Sequence, residues 1–223
     1  MHDQHKQALV ALMIEQQVLK FGEFTLKSGR VSPYFFNLGA IGSGASIASL
    51  GIAYARRILQ LDFNFDVLFG PAYKGIPIVV AAAQALAQMG ADVGWVFNRK
   101  EAKDHGEGGR FVGAPLQGRV VLVDDVLTAG TAVREAAELI KAAGAELAGV
   151  VIALDRQEVQ DRSDSSATAV TRLQADLGIP VVSMLSLQDV IEYLDLKPDH
   201  DKYRREVVEA IKRYQDAYCV RRP

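Results

Sequence analysis

Apolar residues near the start of the chain recur at helical spacing. Leu9, Leu12 and Met13 fall on one side of a helix, and together they predict an amphipathic helix over residues 4–19. Residues 46–59 are predicted to form the next helix. Both helices precede the part of the chain in which strands and helices alternate regularly.

Two short stretches between these helices, 21–26 and 31–38, are rich in aromatic and β-branched residues. Such residues favour extended strands. Gly29 lies in the short connection between the two stretches and gives it the backbone freedom that a turn needs. The stretches are therefore predicted to pair as a β-hairpin.

From residue 66 onward, short apolar strands alternate with helical stretches. The predicted strands are 67–69, 94–97, 120–123, 149–154 and 181–185, and the predicted helices are 76–89, 131–143, 167–177 and 203–218. The strand at 120–123 is apolar on both faces, as expected where helices cover both sides of a sheet. The alternation predicts an α/β fold with an open, mainly parallel sheet flanked by helices.

The length and composition fit one domain. The chain has 223 residues, of which 49% are hydrophobic and 23% are charged, so it can bury a full core. We interpret residues 1–223 as a single domain with three regions. These are an N-terminal hairpin region (about 1–40), an α/β core (about 66–186) and C-terminal helices (about 187–223).

The charges nearly balance, with 25 Lys and Arg against 27 Asp and Glu. A net charge of −2 gives no general attraction to nucleic acid or to an anionic membrane, so neither is an expected partner. The single cysteine, Cys219, excludes an internal disulfide and fits a reducing compartment. The first residues do not resemble a signal peptide, and the most apolar stretch, 76–89, is too short to span a bilayer. We therefore expect a cytoplasmic protein.

The candidate chemistry lies at the end of the predicted strand 120–123, because ligands of open parallel sheets bind at the carboxyl ends of the strands. The strand runs into Asp124 and Asp125, and then into a loop of small and hydroxylated residues that opens a helix at about Thr131. Unpaired N–H groups at a helix start bind phosphate. The two carboxylates are explained if they face sugar hydroxyls or a hydrated divalent cation. The segment therefore predicts a sugar phosphate ligand accompanied by a metal ion.

An acidic strand end with Thr131 as an ordinary helix N-cap is the alternative interpretation. The order Asp-Asp followed by Thr-Ala-Gly-Thr favours the phosphate site. The sequence contains neither G-x-x-x-x-G-K-[ST] nor G-x-G-x-x-G, which argues against P-loop and dinucleotide enzymes. It also lacks H-E-x-x-H and G-x-S-x-G, so neither a zinc protease nor a serine hydrolase is supported.

The segment 120–132 resembles the loop that binds phosphoribosyl pyrophosphate (PRPP) in type I phosphoribosyltransferases. Motifs in residues 24–30, 32–37, 70–75 and 98–108 occur in order and narrow the resemblance to family members that use orotate. The resemblance implies the type I phosphoribosyltransferase fold, in which the N-terminal hairpin region forms a small hood. It also implies a homodimer with shared active sites, and Mg²⁺ carried mainly by PRPP rather than by a metal site of the protein.

The resemblance further assigns residues to PRPP. Those implied to bind it are Lys27, Tyr73, Lys74, Arg99, Lys100, Lys103, His105, Asp124, Asp125, Val126, Leu127, Thr128, Ala129, Gly130, Thr131 and Ala132. Lys103, Asp124 and Asp125 are implied to be catalytic. The alternative interpretation of Lys74 is a surface lysine in a loop.

Residues 99–113 are predicted to be a loop, as are residues 160–166. The first of these segments is cationic and contains glycines, so we expect it to be mobile without ligand. Its own acidic residues nearly cancel its positive charge, and the alternative is a solvated charged loop. The resemblance implies a catalytic lid that serves the neighbouring subunit's site.

The acceptor side is assigned to Phe35, Phe36, Thr128 and Arg156. A guanidinium grips a planar carboxylate through parallel hydrogen bonds, and orotate carries such a carboxylate. The resemblance implies that Arg156 binds it and that both Phe rings lie against the orotate ring. The alternatives are an ion pair of Arg156 with Asp155 or Glu158, and core positions for the two Phe residues.

The resemblance therefore implies transfer of ribose 5-phosphate from PRPP to orotate in pyrimidine biosynthesis. One alternative is a phosphoribosyltransferase for another base, against which Arg156 and the Phe35-Phe36 hairpin argue. The other is a PRPP-sensing regulator with the same fold. A regulator should carry a DNA-binding segment or a basic face, and neither is visible at net charge −2.

Overall fold

The computed structural model describes residues 3–26, 28–103, 109–127, 130–161, 164–196 and 202–220. The helices in this part of the chain are α1 (Asp3–Glu15), α2 (Gly44–Ile58), α3 (Gly75–Gln88), α4 (Thr131–Ala142), α5 (Ala169–Leu177), α6 (Leu187–Asp195) and α7 (Lys202–Tyr218). The strands are β1 (Leu19–Thr25), β2 (Val31–Phe36), β3 (Val67–Gly70), β4 (Gly94–Lys103), β5 (Gly109–Gly113), β6 (Arg119–Val126), β7 (Glu146–Asp155), β8 (Val159–Asp161), β9 (Asp164–Thr168) and β10 (Val181–Ser186).

The central sheet has the order β10-β7-β6-β3-β4-β5. Its neighbouring strands run parallel except for β4 and β5, which are antiparallel. Helices connect the parallel strands, because a parallel crossover needs a long connection that returns to the same end of the sheet. The predicted open, mainly parallel α/β sheet is confirmed.

Strand β6 shows why the sheet must be covered on both faces. Val121 and Val123 belong to a core cluster on one face, which also contains residues of α2, α3, α6 and α7. Val120 and Leu122 belong to a second cluster on the other face, with residues of α4 and α5. Alternate side chains of a strand point to opposite faces, so a strand that is apolar throughout requires two cores.

The N-terminal hairpin is confirmed as a separate antiparallel sheet of β1 and β2. The first helix is shorter than predicted, because the chain turns at Gln17, where φ is 57°, and the amide of Val18 donates to the carbonyl of Met13. Leu19, predicted as the last helical residue, instead begins β1 and is buried. The division into three regions stays a prediction.

The predicted loop at 99–113 is wrong for most of its length. Strand β4 continues to Lys103 and pairs antiparallel with β5, with Asn98 opposite Phe111 and Phe97 opposite Val112. The apolar end of the second arm explains the pairing, since the ring of Phe111 packs edge-on against Phe69 at a centroid distance of 6.3 Å. Residues 104–108 lie outside the described part of the chain.

The predicted loop at 160–166 is also wrong, because β8 and β9 pair as a short antiparallel ladder with Val159 opposite Thr168. Both of these residues are buried, which anchors the open end of the ladder. Thr168 then caps α5 by accepting a hydrogen bond from the amide of Thr171. Helix α5 therefore begins two residues later than predicted.

The C-terminal helices α6 and α7 follow the sheet. Ser186 and Asp189 form a capping box at the start of α6, each side chain accepting from the other residue's amide. Helix α7 packs on the hairpin, where the rings of Tyr34 and Tyr214 meet edge-on with centroids 6.0 Å apart. Within the described residues, no helix is both long enough and apolar enough to cross a membrane.

The close approach of α2 and α3 gives a stability prediction. An added Cβ at Gly51 would overlap the carbonyl of Ala81 and lie 2.9 Å from its Cβ. We expect Gly51→Ala to lower the unfolding free energy by about 1–3 kcal/mol, because the two backbones must move apart. Gly44→Ala is the matched control, since a Cβ there has no neighbour within 4 Å among the described residues. Urea unfolding of both variants checks this, and equal midpoints would contradict it.

Candidate active site

The chemistry-bearing residues follow the carboxyl ends of four neighbouring strands. In sheet order these strands are β7, β6, β3 and β4, and the parallel register brings their carboxyl ends to one edge. Arg156 follows β7, Asp124 and Asp125 end β6, Tyr73 and Lys74 follow β3, and the cations from Arg99 onward lie on the end of β4. The sheet therefore assembles residues that are far apart in sequence.

Asp124 and Asp125 are both buried, at 8% and 7% exposure. The Asp124 carboxylate accepts a hydrogen bond from the amide of Asp125 at 2.9 Å, and Asp125 accepts from the amide of Val126 at 2.8 Å. The hydroxyl of Tyr54 on α2 donates to the backbone carbonyl of Asp124 at 2.7 Å. These contacts fix the orientation of the strand end and of both carboxylates.

Lys74 supplies the opposite charge. Its Nζ lies 2.6 Å from Oδ2 of Asp125, and about half of its side chain remains exposed. Exposed Tyr73 beside it carries the ammonium of Lys100 over its ring, 4.8 Å from the centroid. Lys74 therefore contacts Asp125 directly, and Lys100 contacts the ring of the neighbouring Tyr73.

Burial and neighbouring charges change the pKa of Asp124. Burial raises the pKa of Asp124 to about 7, and the neighbouring charge of Asp125 adds to the rise, while the amide of Asp125 and the charge of Lys74 oppose it. Burial, with help from Asp124 and Asp125, also raises the pKa of Tyr54 well above its usual value. The Tyr54 hydroxyl therefore keeps its proton and stays a donor.

The start of α4 does not have Thr131 as its N-cap, as the alternative interpretation of this segment requires. Gly130 is the N-cap, with φ of 73°, and no side chain accepts a capping hydrogen bond there. Thr131 and Ala132 are exposed in the first turn, so Thr131 is not the N-cap. The left-handed backbone of Gly130 turns the chain from β6 into a helix whose first N–H groups face the strand ends. Leu127 is buried in the core, which anchors the loop on its β6 side.

The strand β4 carries the next group of predicted residues. Arg99 donates to the carbonyl of Gly109 on the adjoining strand, at 3.0 Å. Lys103 ends β4 opposite Gly109, and its side chain lies outside the described part of the structure. Four further predicted residues lie outside the described residues, namely Lys27, His105, Thr128 and Ala129.

Arg156 forms an ion pair with Glu158, which is one of the alternative interpretations that its sequence position allows. Its side chain is 15% exposed, and its Nε donates to Oε1 of Glu158 at 2.8 Å. Its guanidinium carbon lies 5.0 Å from the centroid of the Tyr34 ring. The pair holds the Nε–Nη2 edge of the guanidinium.

Phe35 and Phe36 point to opposite faces of β2, as the strand period requires. Phe35 is 40% exposed and packs against Phe24 at a centroid distance of 5.5 Å. Phe36 is 8% exposed and belongs to the core. The structure thus presents only Phe35 as an open ring, and Phe36 takes the core position that was its alternative.

Two residues that hold the site in place have no role in the sequence interpretation. Tyr54 looks like a core residue of α2, yet it fixes Asp124 through a buried hydrogen bond. Asn98 accepts from the amide of Ala72 at 3.0 Å and so ties the end of β4 to the loop after β3. Asn98 could have been identified because it is a polar residue ending an apolar strand stretch, whereas Tyr54 gave no such signal.

The carboxylates of Asp124 and Asp125 are hard oxygen donors of the kind that Mg²⁺ prefers. Within the described ranges, no group of three or more His, Cys, Asp or Glu side chains is placed to hold a metal ion. The two donors therefore fit a hydrated Mg²⁺ that a phosphate ligand also binds.

The raised pKa of Asp124 predicts a pH-dependent destabilisation. Its pKa rises from 3.8 to about 7 on folding, so the folded state binds more protons between these values, and ionised Asp124 costs stability at higher pH. Asp124→Asn removes that cost. We expect its gain in unfolding free energy over wild type to grow between pH 4 and pH 8, by on the order of 2–4 kcal/mol.

Chemical unfolding of the ligand-free protein at several pH values measures this difference. Exposed Asp62→Asn is the control and should leave the pH dependence of the wild type unchanged. A difference between Asp124→Asn and wild type that stays constant with pH would contradict the shift.

Comparison with known proteins places this site in a family. The family described as "Phosphoribosyl transferase domain" matches residues 39–186. The orotate phosphoribosyltransferase of Marinobacter nauticus is 50% identical over 220 residues, covering 99% of this chain and 100% of the relative. That of Pseudomonas aeruginosa is 51% identical over 217 residues, covering 97% and 99%. The crystal structure of orotate phosphoribosyltransferase from Francisella tularensis superposes with a TM-score of 0.82 at 41% identity, covering 95% of this chain and 99% of the other. The chain therefore belongs to the phosphoribosyl transferase family, and within it to the orotate phosphoribosyltransferases.

Proposed function

We propose that the protein transfers ribose 5-phosphate from PRPP to N1 of orotate, giving orotidine 5′-phosphate and pyrophosphate in pyrimidine biosynthesis. Relatives that bear this enzyme's name match nearly the whole chain at 50–51% identity. The observation that carries the proposal is the buried pair Asp124 and Asp125, which lies between the glycine-capped start of α4 and the cation Lys74.

The 5′-phosphate is assigned to the loop from Thr128 to Ala132. The backbone N–H groups that begin α4 are not used within the helix, and they lie at the positive end of its dipole. Gly130 has no side chain, so a phosphate oxygen can approach the backbone. Thr128, Ala129 and Thr131 complete this loop by resemblance.

Asp124 and Asp125 are assigned to the ribose hydroxyls. Carboxylates accept hydrogen bonds from hydroxyl groups, and they stabilise positive charge that develops on the ribose ring. Lys74 bonds to Asp125 in the free protein. Because its side chain is half exposed, it can also face the pyrophosphate of a bound PRPP without losing that carboxylate.

The pyrophosphate is assigned to a group of cations around the ends of β3 and β4. They are Lys74, Arg99, Lys100, Lys103 and His105, together with Tyr73. The resemblance adds Lys27, from the other subunit, to the PRPP contacts. Lys103 is assigned as the main protein cation on the departing group. Bound with PRPP, Mg²⁺ neutralises part of the pyrophosphate charge.

The mechanism needs no protein nucleophile. The bond from ribose to pyrophosphate breaks ahead of bond formation to orotate, so the residues act by positioning and by stabilising charge. Closure of the segment that carries Lys103 would exclude water from the reacting carbon. Asp124 and Asp125 stabilise one side of the developing charge separation, and Lys103 stabilises the other.

Orotate is assigned to the β7 side of the pocket. We assign the guanidinium of Arg156 to the orotate carboxylate, which it would bind in a planar, bidentate manner. Exposed Phe35 offers a ring face to the base. The resemblance also assigns Phe36 and Thr128 to orotate. We also propose the cytoplasmic location and the homodimer that the sequence predicted.

The acceptor assay tests the reaction itself. With PRPP and Mg²⁺, the purified protein should consume orotate, measured as loss of orotate absorbance. Uracil, adenine and hypoxanthine should not be consumed, because only orotate has a carboxylate for Arg156. Preferred use of another base would support the first alternative, and PRPP binding without turnover of any base would support a regulator.

A mixing experiment tests the shared active site. Lys103→Ala and Asp125→Asn homodimers should each be nearly inactive, because each removes an assigned catalytic group. If Lys103 serves the partner's site, subunit exchange makes about half of the dimers hybrid, and each hybrid has one intact site. About a quarter of wild-type activity should then return. Exchange confirmed by differential tagging without any recovery would reject the shared site.

A further inference from the structure

The guanidinium of Arg156 lies in a cluster of polar side chains whose other members have no assigned role in the proposed reaction. Its Nε donates to Oε1 of Glu158 at 2.8 Å, and its Nη2 lies 2.6 Å from the same oxygen. Nη2 is nevertheless buried without a well-formed hydrogen bond within the described part of the chain. Glu158 thus holds the Nε–Nη2 edge of the fork, while the donor capacity of Nη2 is not used up.

Glu158 is the junction of this cluster. Its Oε1 also accepts a hydrogen bond from the hydroxyl of Tyr214 on α7, at 2.8 Å. Its Oε2 lies 3.8 Å from Nη1 of Arg30 in the N-terminal hairpin. One carboxylate therefore joins Arg156 to the C-terminal helix and to the hairpin, and Tyr34 lies under the guanidinium.

The turn that carries Glu158 is fixed from three sides. The amide of Gln157 donates to Asp155 at 2.8 Å, and its side chain accepts from the amide of Gln188 at 3.0 Å. Its carbonyl accepts from the amide of Val220 at 3.0 Å, which ties the turn to the end of the chain. Gln157 itself has φ of 57°. Glu158 is therefore held in one place relative to the end of β7.

We propose that Glu158 is a positioning residue for the acceptor, held in turn by Tyr214. It orients the Arg156 guanidinium so that the Nη1–Nη2 end, the second edge of the same planar group, receives the orotate carboxylate. The inference rests on the proposed contact between Arg156 and orotate. It assigns part of the acceptor specificity to the C-terminal helix, which carries none of the residues assigned to the substrates.

Geometry distinguishes this role from simple neutralisation of a buried cation. A carboxylate that only neutralised Arg156 could bind the end of the fork, which would block the substrate. Glu158 instead takes the side edge, and the Tyr214 hydroxyl occupies another lone pair of the same oxygen. Because a planar fork turns as one body, fixing the side edge also fixes the direction of the end.

Steady-state kinetics of Glu158→Gln, Arg156→Ala and the double variant test the proposal. Glu158→Gln should raise the KM for orotate roughly tenfold, because the guanidinium loses its fixed orientation. The KM for PRPP should stay within about twofold of wild type, since PRPP does not contact Arg156. Added to Arg156→Ala, Glu158→Gln should have no further effect on the orotate KM, because its effect passes through the guanidinium.

Two further variants complete the experiment. Tyr214→Phe should raise the orotate KM roughly threefold, because Glu158 loses the hydroxyl donor that α7 supplies. Glu206→Gln on α7 is the matched control, since Glu206 is 61% exposed and bonds only loosely to Lys202 within the described residues. It should leave both KM values unchanged. If Glu158→Gln does not fold, Tyr214→Phe decides the question alone.

The outcomes distinguish failure of the positioning role of Glu158 from failure of the contact between Arg156 and orotate. If Arg156→Ala raises the orotate KM but Glu158→Gln does not, the positioning role is overturned and the contact between Arg156 and orotate stands. An equal rise in the KM for PRPP, or full additivity with Arg156→Ala, overturns the positioning role in the same way. If Arg156→Ala itself leaves the orotate KM unchanged, the assigned contact fails and the positioning role fails with it.

Discussion

Strand β6 ends in two neighbouring carboxylates that the fold removes from water, and the surrounding structure compensates for their burial. Desolvation and mutual repulsion both disfavour the charged pair. Lys74 opposes that cost with a charge at 2.6 Å, and backbone amides donate to each carboxylate. The cost is reduced rather than abolished, as the raised pKa of Asp124 shows. Two buried carboxylates whose negative charge is this costly favour any positive charge that is brought close to them.

The supports of the carboxylate pair come from two helices that meet each other. Tyr54 on α2 bonds to the carbonyl of Asp124, and Lys74 lies at the N-cap of α3. These helices approach closely where Gly51 faces the backbone of Ala81. Gly51 precedes Tyr54 by one turn, so the distance between the two helices also sets where the tyrosine hydroxyl lies. The packing of α2 on α3 therefore contributes to the geometry of the strand end that carries the carboxylates.

The sequence predicts those features of the molecule that depend on local patterns. The apolar strand 120–123 and the helix from Thr131 follow from neighbouring residues, and the structure has both, although β6 continues through the two carboxylates to Val126. The pairing of β4 with β5 could not be predicted, because it depends on Phe111 reaching Phe69 across the sheet. The cationic side chains at the end of β4 make this strand resemble a loop in the sequence, since an edge region of a sheet exposes polar side chains as a loop does.

The residues assigned to orotate are harder to predict from the sequence than those assigned to PRPP. Residues from Asp124 to Ala132 are continuous in sequence, so one segment contains most of the residues assigned to the phosphate and the ribose. Arg156 instead depends on Tyr34 and Tyr214, which belong to distant elements that meet only in the fold. Glu158 was visible only as an ion-pair alternative for Arg156, and sequence alone could not show that Tyr214 orients it. A site divided in this way can keep its PRPP chemistry on the sheet while contacts of the hairpin and of α7 adjust the base that it accepts.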